Sequence, residues 1–197
     1  MTLPDGYTDL PPGKIASVVT YLQMLTPPTA LPVVARAAWS VRRRTNPDLN
    51  WYRNLFRKVG EEWLWFSRLQ MDDEGLQAVI HDPAVEIFAF EIEGQEKGIV
   101  ELDRRKKPDV ELAFFGLSAD AIGIGAGRFL LDQAIRLAWS GNPTRVLVHT
   151  CTIDHPRALP LYMAYGFVPH RRAIEIADDP RLDGTFSRSA AIHIPIV

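Results

Sequence analysis

The sequence predicts an α/β (α+β) fold: a mixed, mostly antiparallel central sheet flanked by helices, with one βαβ unit carrying a glycine loop. Three observations lead there. Strand-like runs at Val85–Ile92, Gly98–Asp103 and Val110–Phe115 follow one another with only turns between them, which is an antiparallel meander. Behind them, Asp120-Ala-Ile-Gly-Ile-Gly-Ala-Gly-Arg-Phe-Leu-Leu131 alternates Gly123, Gly125 and Gly127, then starts an apolar helical pattern. Arg145–Thr150 is almost continuously apolar, the mark of a buried strand. A right-handed crossover through the intervening helix sets Val110–Phe115 and Arg145–Thr150 parallel in one sheet. The glycines then lie at the carboxyl end of the first strand, where open α/β sheets take their ligands.

The other elements follow in chain order. Residues 1–13, with Pro4, Gly6, Pro11, Pro12 and Gly13, read as an irregular lead-in. Ile15–Leu25 is rich in β-branched and aromatic residues and reads as a strand, stopped by the prolines of Thr26–Pro32. Val33–Arg44 is ambiguous between helix and strand. Leu49, Tyr52, Leu55, Phe56 and Val59 recur at helical spacing, with Gly60 as the stop. Trp63, Trp65 and Phe66 form an aromatic patch that suits core packing or, with Arg68, a pocket wall. Asp72 or Asp73 caps a second helix bearing Leu76, Val79 and Ile80, which ends near His81-Asp82-Pro83. The helix after the glycine loop runs from about Ala126 to Trp139, and Gly141-Asn-Pro143 ends it. Asp154 is positioned to cap a helix entered through Pro156 and stopped at Gly166. Phe167–Ile176 and Ala190–Ile196 read as final strands, joined by a polar loop.

Composition bounds the function. The 197 residues give room for one sizeable domain, so 1–197 is read as a single domain. The net charge of −2 supplies no global field for nucleic acid. The basic runs Arg42–Arg44 and Arg104–Lys107 read first as solvated loops. The lone Cys151 excludes an intrachain disulfide and a multi-cysteine metal site, and no metal is expected. No apolar run is long enough to span a bilayer and no secretory leader is evident, so the expectation is a cytoplasmic protein without membrane or nucleic-acid partners.

A glycine-rich turn feeding a helix N-terminus is a ready anion site. The first helical N–H groups lack intrahelical partners, the dipole adds positive potential, and glycine admits a phosphate close to the backbone. The same glycines also suit tight strand–helix packing. Two motifs together resemble the GNAT superfamily of acyl-CoA-dependent N-acyltransferases. Gly125-Ala126-Gly127 is similar to the core of the family's glycine motif, with Arg128-Phe-Leu-Leu131 opening the helix; Ile122 stands where Gln or Arg is usual. His155-Pro-Arg-Ala-Leu-Pro-Leu-Tyr-Met-Ala-Tyr-Gly-Phe167 is similar to the family's Asn-x-x-Ala-x-x-Leu-Tyr-x-x-x-Gly-Phe, with His155 in place of Asn. The matched core runs from about Val85 to Phe167, and residues 1–84 fit the family's variable N-terminal part only loosely.

The resemblance implies acetyl-CoA as acyl donor and a primary amine, on a small molecule or a peptide, as acceptor. It leaves homodimerisation open. It assigns the pyrophosphate to the backbone of Ile122, Gly123, Ile124, Gly125, Ala126, Gly127 and Arg128, with His155 and Arg157 also on the cofactor. It sets pantetheine and the thioester oxygen near Phe115, Gly116 and Leu117. Tyr162 becomes the acid for the leaving thiolate, unless it is only a core tyrosine. The base is argued from pattern. Making the aliphatic faces of Gly98–Asp103 and Val110–Phe115 coincide groups Val110, Leu112 and Phe114 on one face. It puts Glu101, Asp103 and Glu111 on the other. Clustered carboxylates repel, so at least one pKa is expected to rise. Glu111 is the first candidate and Glu101 the second; the alternatives are a wet acidic face or carboxylates paired with arginines. Cys151 reads as packing rather than as an acyl-carrying nucleophile. The competing function is a non-catalytic acyl-CoA-binding sensor or interaction module on the same fold.

Overall fold

The computed structural model describes residues 5–28 and 36–197. The start of the lead-in (1–4), the end of the proline stretch (29–32) and positions 33–35 of the ambiguous segment lie outside the described residues. The elements are β1 (Lys14–Met24), β2 (Trp39–Arg44), α1 (Leu49–Gly60), α2 (Asp73–Ile80), β3 (Val85–Ile92), β4 (Gln95–Asp103), β5 (Val110–Leu117), α3 (Ala126–Trp139), β6 (Val146–Cys151), α4 (Ala158–Ala164) and β7 (Val168–Asp178). The strands form one sheet in the order β2-β3-β4-β5-β6-β1-β7. Every pairing is antiparallel except β5 with β6, which is the expected parallel βαβ unit.

Local chemistry explains the helices. Asp48 accepts from the Trp51 amide and Asp72 from the Gly75 amide, so α1 and α2 each begin on a side-chain cap. Tyr52, Leu55, Phe56 and Val59 of α1 join Leu76, Val79 and Ile80 of α2 over one face of the sheet, against Ile87, Ala89 and Ile99. Phe129, Leu130, Ala134 and Ile135 of α3 cover the other face, against Val100, Leu102, Leu112 and Val148. Among the described residues no helix is long and apolar enough to cross a membrane.

Three expectations change. The ambiguous segment contributes an edge strand, β2, whose arginines pair with carboxylates: Arg42 and Arg44 with Glu91, Arg43 with Glu86, and Arg44 also with Glu96. Arg104, in the second basic run, binds Glu86 and the carbonyls of Leu137 and Ala138, which end α3. The first run is thus part of a strand, while the second is the exposed turn expected, tied down at Arg104. Residues 190–196 form turns, not a strand, because β7 already pairs with β1 and another group takes the backbone carbonyls. The buried Arg181 guanidinium, paired with Asp179, donates to Ala190, Ala191 and Ile194. Finally, Asp154 does not cap α4. The N-cap of that helix is Arg157, with no side-chain cap. Asp154 instead accepts from Thr150 Oγ1, the Cys151 amide and Trp65 Nε1, binding the end of β6 to the aromatic patch.

Candidate active site

The site begins with a fault in the sheet. Leu102 pairs with Leu112 but Glu101 pairs with Phe114, so Ala113 is an extra residue and β5 carries a bulge. The bulge reverses the expected faces beyond it. Phe114 packs against Phe56 and Trp65 on the α1 side, and Phe115 packs edge-on to Tyr162 on the α3 side. It also bends β5 away from β6. The two strands pair only over Val110–Leu112 with Val146–Val148, yet β5 continues to Leu117 and β6 to Cys151. A cavity of about 1510 Å³ opens in this fork and takes its lining from both faces of the sheet. Along it, the backbone edge of β5 past Leu112 has no ladder partner in β6.

The glycine loop closes the α3 side. Gly123 and Gly125 have φ of 92° and 90°, a conformation that glycine adopts without strain. Gly125 is the N-cap of α3; no side chain caps this helix, and its first turn holds no acidic residue. The leading amides therefore remain free as donors, and a Cβ at Gly123 or Gly125 would meet nothing within 4 Å. Ile122, Gly123, Gly125, Gly127 and Arg128 line the cavity. Ile124 points to solvent and Ala126 is buried beneath α3, so neither side chain lines it. Phe115, Gly116 and Leu117 form the β5 edge of the cavity. At Gly116 a Cβ would stand 2.5 Å from Val59 Cγ1 and 2.8 Å from Trp65 Cη2, so close packing requires the glycine.

The second motif lies opposite. His155 Nδ1 accepts from the Arg157 amide at 3.0 Å, a short-range acceptor ahead of α4 that its imidazole supplies. Trp63 stacks edge-on to it, with ring centroids 5.1 Å apart. Both His155 and Arg157 line the cavity, as does Tyr162. The Tyr162 ring is buried between Phe115 and Phe167, and its hydroxyl has no hydrogen-bond partner among the described residues. Burial, reinforced by the negative charge of Asp154, pushes its phenol far above the usual range. The group keeps its proton at any physiological pH. Burial likewise pushes the Cys151 thiol up, which disfavours a nucleophilic thiolate.

The three carboxylates do share one face, but each has its own partner. Glu101 is fully buried. Its Oε2 accepts from Tyr52 at 2.5 Å and its Oε1 from Arg68 at 2.6 Å. Each of its oxygens thus has a partner, and Glu101 is not among the residues that line the cavity. Burial keeps the Tyr52 phenol protonated, and burial of Arg68 is outweighed by the carboxylate beside it, which raises its pKa. Asp103 is clamped by Arg105, which outweighs burial and holds it below the usual range. Glu111 stands 3.1 Å from His149 Nδ1. The hydrogen bond to His149 lowers the Glu111 pKa, against burial and against the weaker repulsion from Asp103. The expected rise is absent at Asp103 and Glu111, because each is held by its own partner, Arg105 and His149. The same bond raises His149.

The sequence reading assigned no role to His149 or to the β1 face bearing Ser17 and Val19, and offered Arg68 only as part of a pocket wall; all of them line the cavity. A histidine interrupting the apolar run Val146-Leu-Val-His149 was the available signal for the first. Among the described residues, no group of three or more His, Cys, Asp or Glu gathers to hold a metal.

Solved structures share this fold at low identity. A GCN5-related N-acetyltransferase from Kribbella flavida superposes with a TM-score of 0.59 at 15% identity, over 87% of this chain and 63% of that one. A spermidine N-acetyltransferase from Vibrio cholerae, described as dodecameric, gives 0.53 at 19% identity, over 75% and 97%. An aminoglycoside acetyltransferase from an uncultured soil metagenomic sample gives 0.53 at 18% identity, over 66% and 88%. The chain spans less than two thirds of the Kribbella protein and, at 64%, of a functionally unknown protein from Staphylococcus epidermidis. No protein of curated function matches. The model of the Acetyltransferase (GNAT) family matches residues 49–167, which takes in α1 and α2 as well as the core read from the motifs. With more than half its length matched and the forked sheet in place, the chain belongs to the GNAT acetyltransferase family.

Proposed function

We propose that the protein transfers an acetyl group from acetyl-CoA to a primary amine by direct attack. One observation carries this reading: a single cavity through the fork holds an amide cradle and Tyr162 on one side, and the Glu111–His149 pair on the other. The two sides suit the two substrates. The free amides at Gly125–Arg128 would hold the pyrophosphate, and the open edge of β5 at Phe115–Leu117 would take the pantetheine and the thioester oxygen. Attack of the amine on the carbonyl then leaves negative charge on that oxygen and on the departing sulfur. The Tyr162 phenol, protonated and without another partner among the described residues, would donate to the sulfur. Its raised pKa makes it a hydrogen-bond donor first and a full proton donor only as the C–S bond breaks. The Glu111–His149 pair would accept a proton from the ammonium. Glu101 is left out of the chemistry and anchors the wall behind Phe114.

Spermidine and aminoglycosides, the acceptors named for two structural neighbours, make polyamines and aminosugars the first amines to try. The test is thiol release from acetyl-CoA across spermidine, kanamycin, free amino acids and lysine peptides, with Tyr162→Phe as control. Release above background with one amine, reduced in the variant, supports the reading. Tight acetyl-CoA binding with no release on any amine would replace it with the non-catalytic sensor.

A further inference from the structure

We propose that His149, rather than Glu111, takes the proton from the attacking amine, and that Glu111 is the positioning residue that orients it. This rests on the acyltransferase reading and assigns its base to one atom, His149 Nε2.

The argument is geometric. Leu112–Val148 is the last parallel pair between β5 and β6, so His149 is the first residue of β6 inside the fork. Glu111 lies one residue before the last paired position of β5, one step further from the opening. Exposure follows that order: the His149 side chain is 43% accessible and that of Glu111 29%. The bond from Nδ1 to Glu111 Oε1 fixes the tautomer, with the proton on Nδ1 and the lone pair on Nε2. The ring is held from β1 by Tyr21, 5.6 Å away, and Tyr21 is in turn covered by the Arg171 guanidinium of β7 at 3.6 Å. A carboxylate orienting one imidazole nitrogen leaves the other as a directed base.

The surrounding charges favour the same division. Asp154, beyond β6, and Glu175, on β7, act on His149 together with Glu111, and all three favour its cation. Lys106 acts on Glu111 from the β4–β5 turn, and Asp103, itself clamped by Arg105, opposes it weakly. A carboxylate held below its usual range accepts a proton from an ammonium poorly, whereas an imidazole raised by its neighbours is a closer match.

The proton balance closes. One N–H bond of the ammonium breaks as Nε2–H forms, and the freed lone pair attacks the thioester carbon. The C–S bond breaks, and the sulfur takes the Tyr162 proton. A second amine proton refills Tyr162, and the third stays on the amide nitrogen. His149 then returns its proton to solvent.

The test has two arms on the full chain. In NMR titration of the five histidines, with His149→Gln supplying the assignment, His149 should titrate above 6.5 and fall back in Glu111→Gln. In thiol release with the most active amine of the panel, His149→Gln should lower kcat/KM by about 10²–10⁴-fold and remove the acid limb of the pH profile. Glu111→Gln should keep that limb and move it to lower pH, a shift that a merely structural role would not produce. A His149→Gln variant that keeps the wild-type rate and limb overturns the proposal. So does a His149 titration unchanged in Glu111→Gln. If no amine raises thiol release in the wild type, the acyltransferase reading falls and takes this assignment with it.

Discussion

Replacing Glu101 by glutamine separates architecture from chemistry at the buried carboxylate. Glu101 has no exposed surface, its two oxygens are held by Tyr52 and Arg68, and the Arg68 side chain is only 15% accessible. The amide keeps the shape and removes the charge, which leaves a guanidinium buried without its counterion. Arg68 is poorly placed to compensate, since its Nε already has no partner among the described residues. Removing one member of such a pair costs about 3–5 kcal/mol. For a chain of this length each kcal/mol moves Tm by about 2–4 °C, so Glu101→Gln should melt roughly 6–20 °C below the wild type. Tyr52→Phe removes only one donor to the carboxylate and should cost about 1.5–3 kcal/mol. The double variant Glu101→Leu with Arg68→Met removes both charges together and should recover part of the loss. Thermal and urea denaturation followed by circular dichroism measure all three. A Glu101→Gln protein that melts with the wild type but loses turnover would refute the reasoning and return Glu101 to the role of base.

Three further outcomes are expected. Gly125→Val should weaken acetyl-CoA binding in calorimetry, because a left-handed backbone strains any other residue by about 1–2 kcal/mol and the side chain would intrude on the cradle. Tyr162→Phe should mainly lower turnover, and equal binding losses in both variants would break this division of labour. The Glu111–His149 pair should also leave a signature in stability against pH. The lowered Glu111 contributes above about pH 4.5 and loses its contribution as pH falls through its folded pKa. The raised His149 contributes fully below about pH 6.5 and loses its contribution as pH rises through its folded pKa. The stability difference between wild type and His149→Gln should therefore be widest near about pH 5.5 and narrower by about pH 8. A flat difference across that range would show that the two groups do not interact.

Much of the fold was legible because its signals are local. The meander, the βαβ unit, the cap at Asp72 and the glycine loop each sit in one short stretch whose residues carry their own reason. Even the shared face of Glu101, Asp103 and Glu111 followed from alternation along two neighbouring strands. What escaped depends on partners distant in sequence. The extra residue at Ala113 exists only relative to the register of β4, and it alone turns Phe114 and Phe115 to faces opposite those expected. The carboxylate cluster was visible, but the groups that neutralise it were not: Arg68 comes from the segment before α2 and His149 from β6. The alternation in residues 190–196 resembled a strand because nothing local shows that Arg181 claims their carbonyls.

The place of β1 between β6 and β7 has a kinetic consequence. Val18 on β1 donates its amide to Thr152 across 134 positions, and Lys14 reaches Asp178 across 164. The meander β3–β4–β5 can form from neighbours, but β1 must wait for strands made more than a hundred residues later. Contacts of such long range are slow to form, because chain entropy is lost before any pairing compensates for it. During synthesis at about 5–20 residues per second, β1 stays without its partners for several seconds at least. Its seating should then be the last step of folding. Since Ile15, Ser17 and Val19 line the cavity, the acceptor wall is completed only at that step.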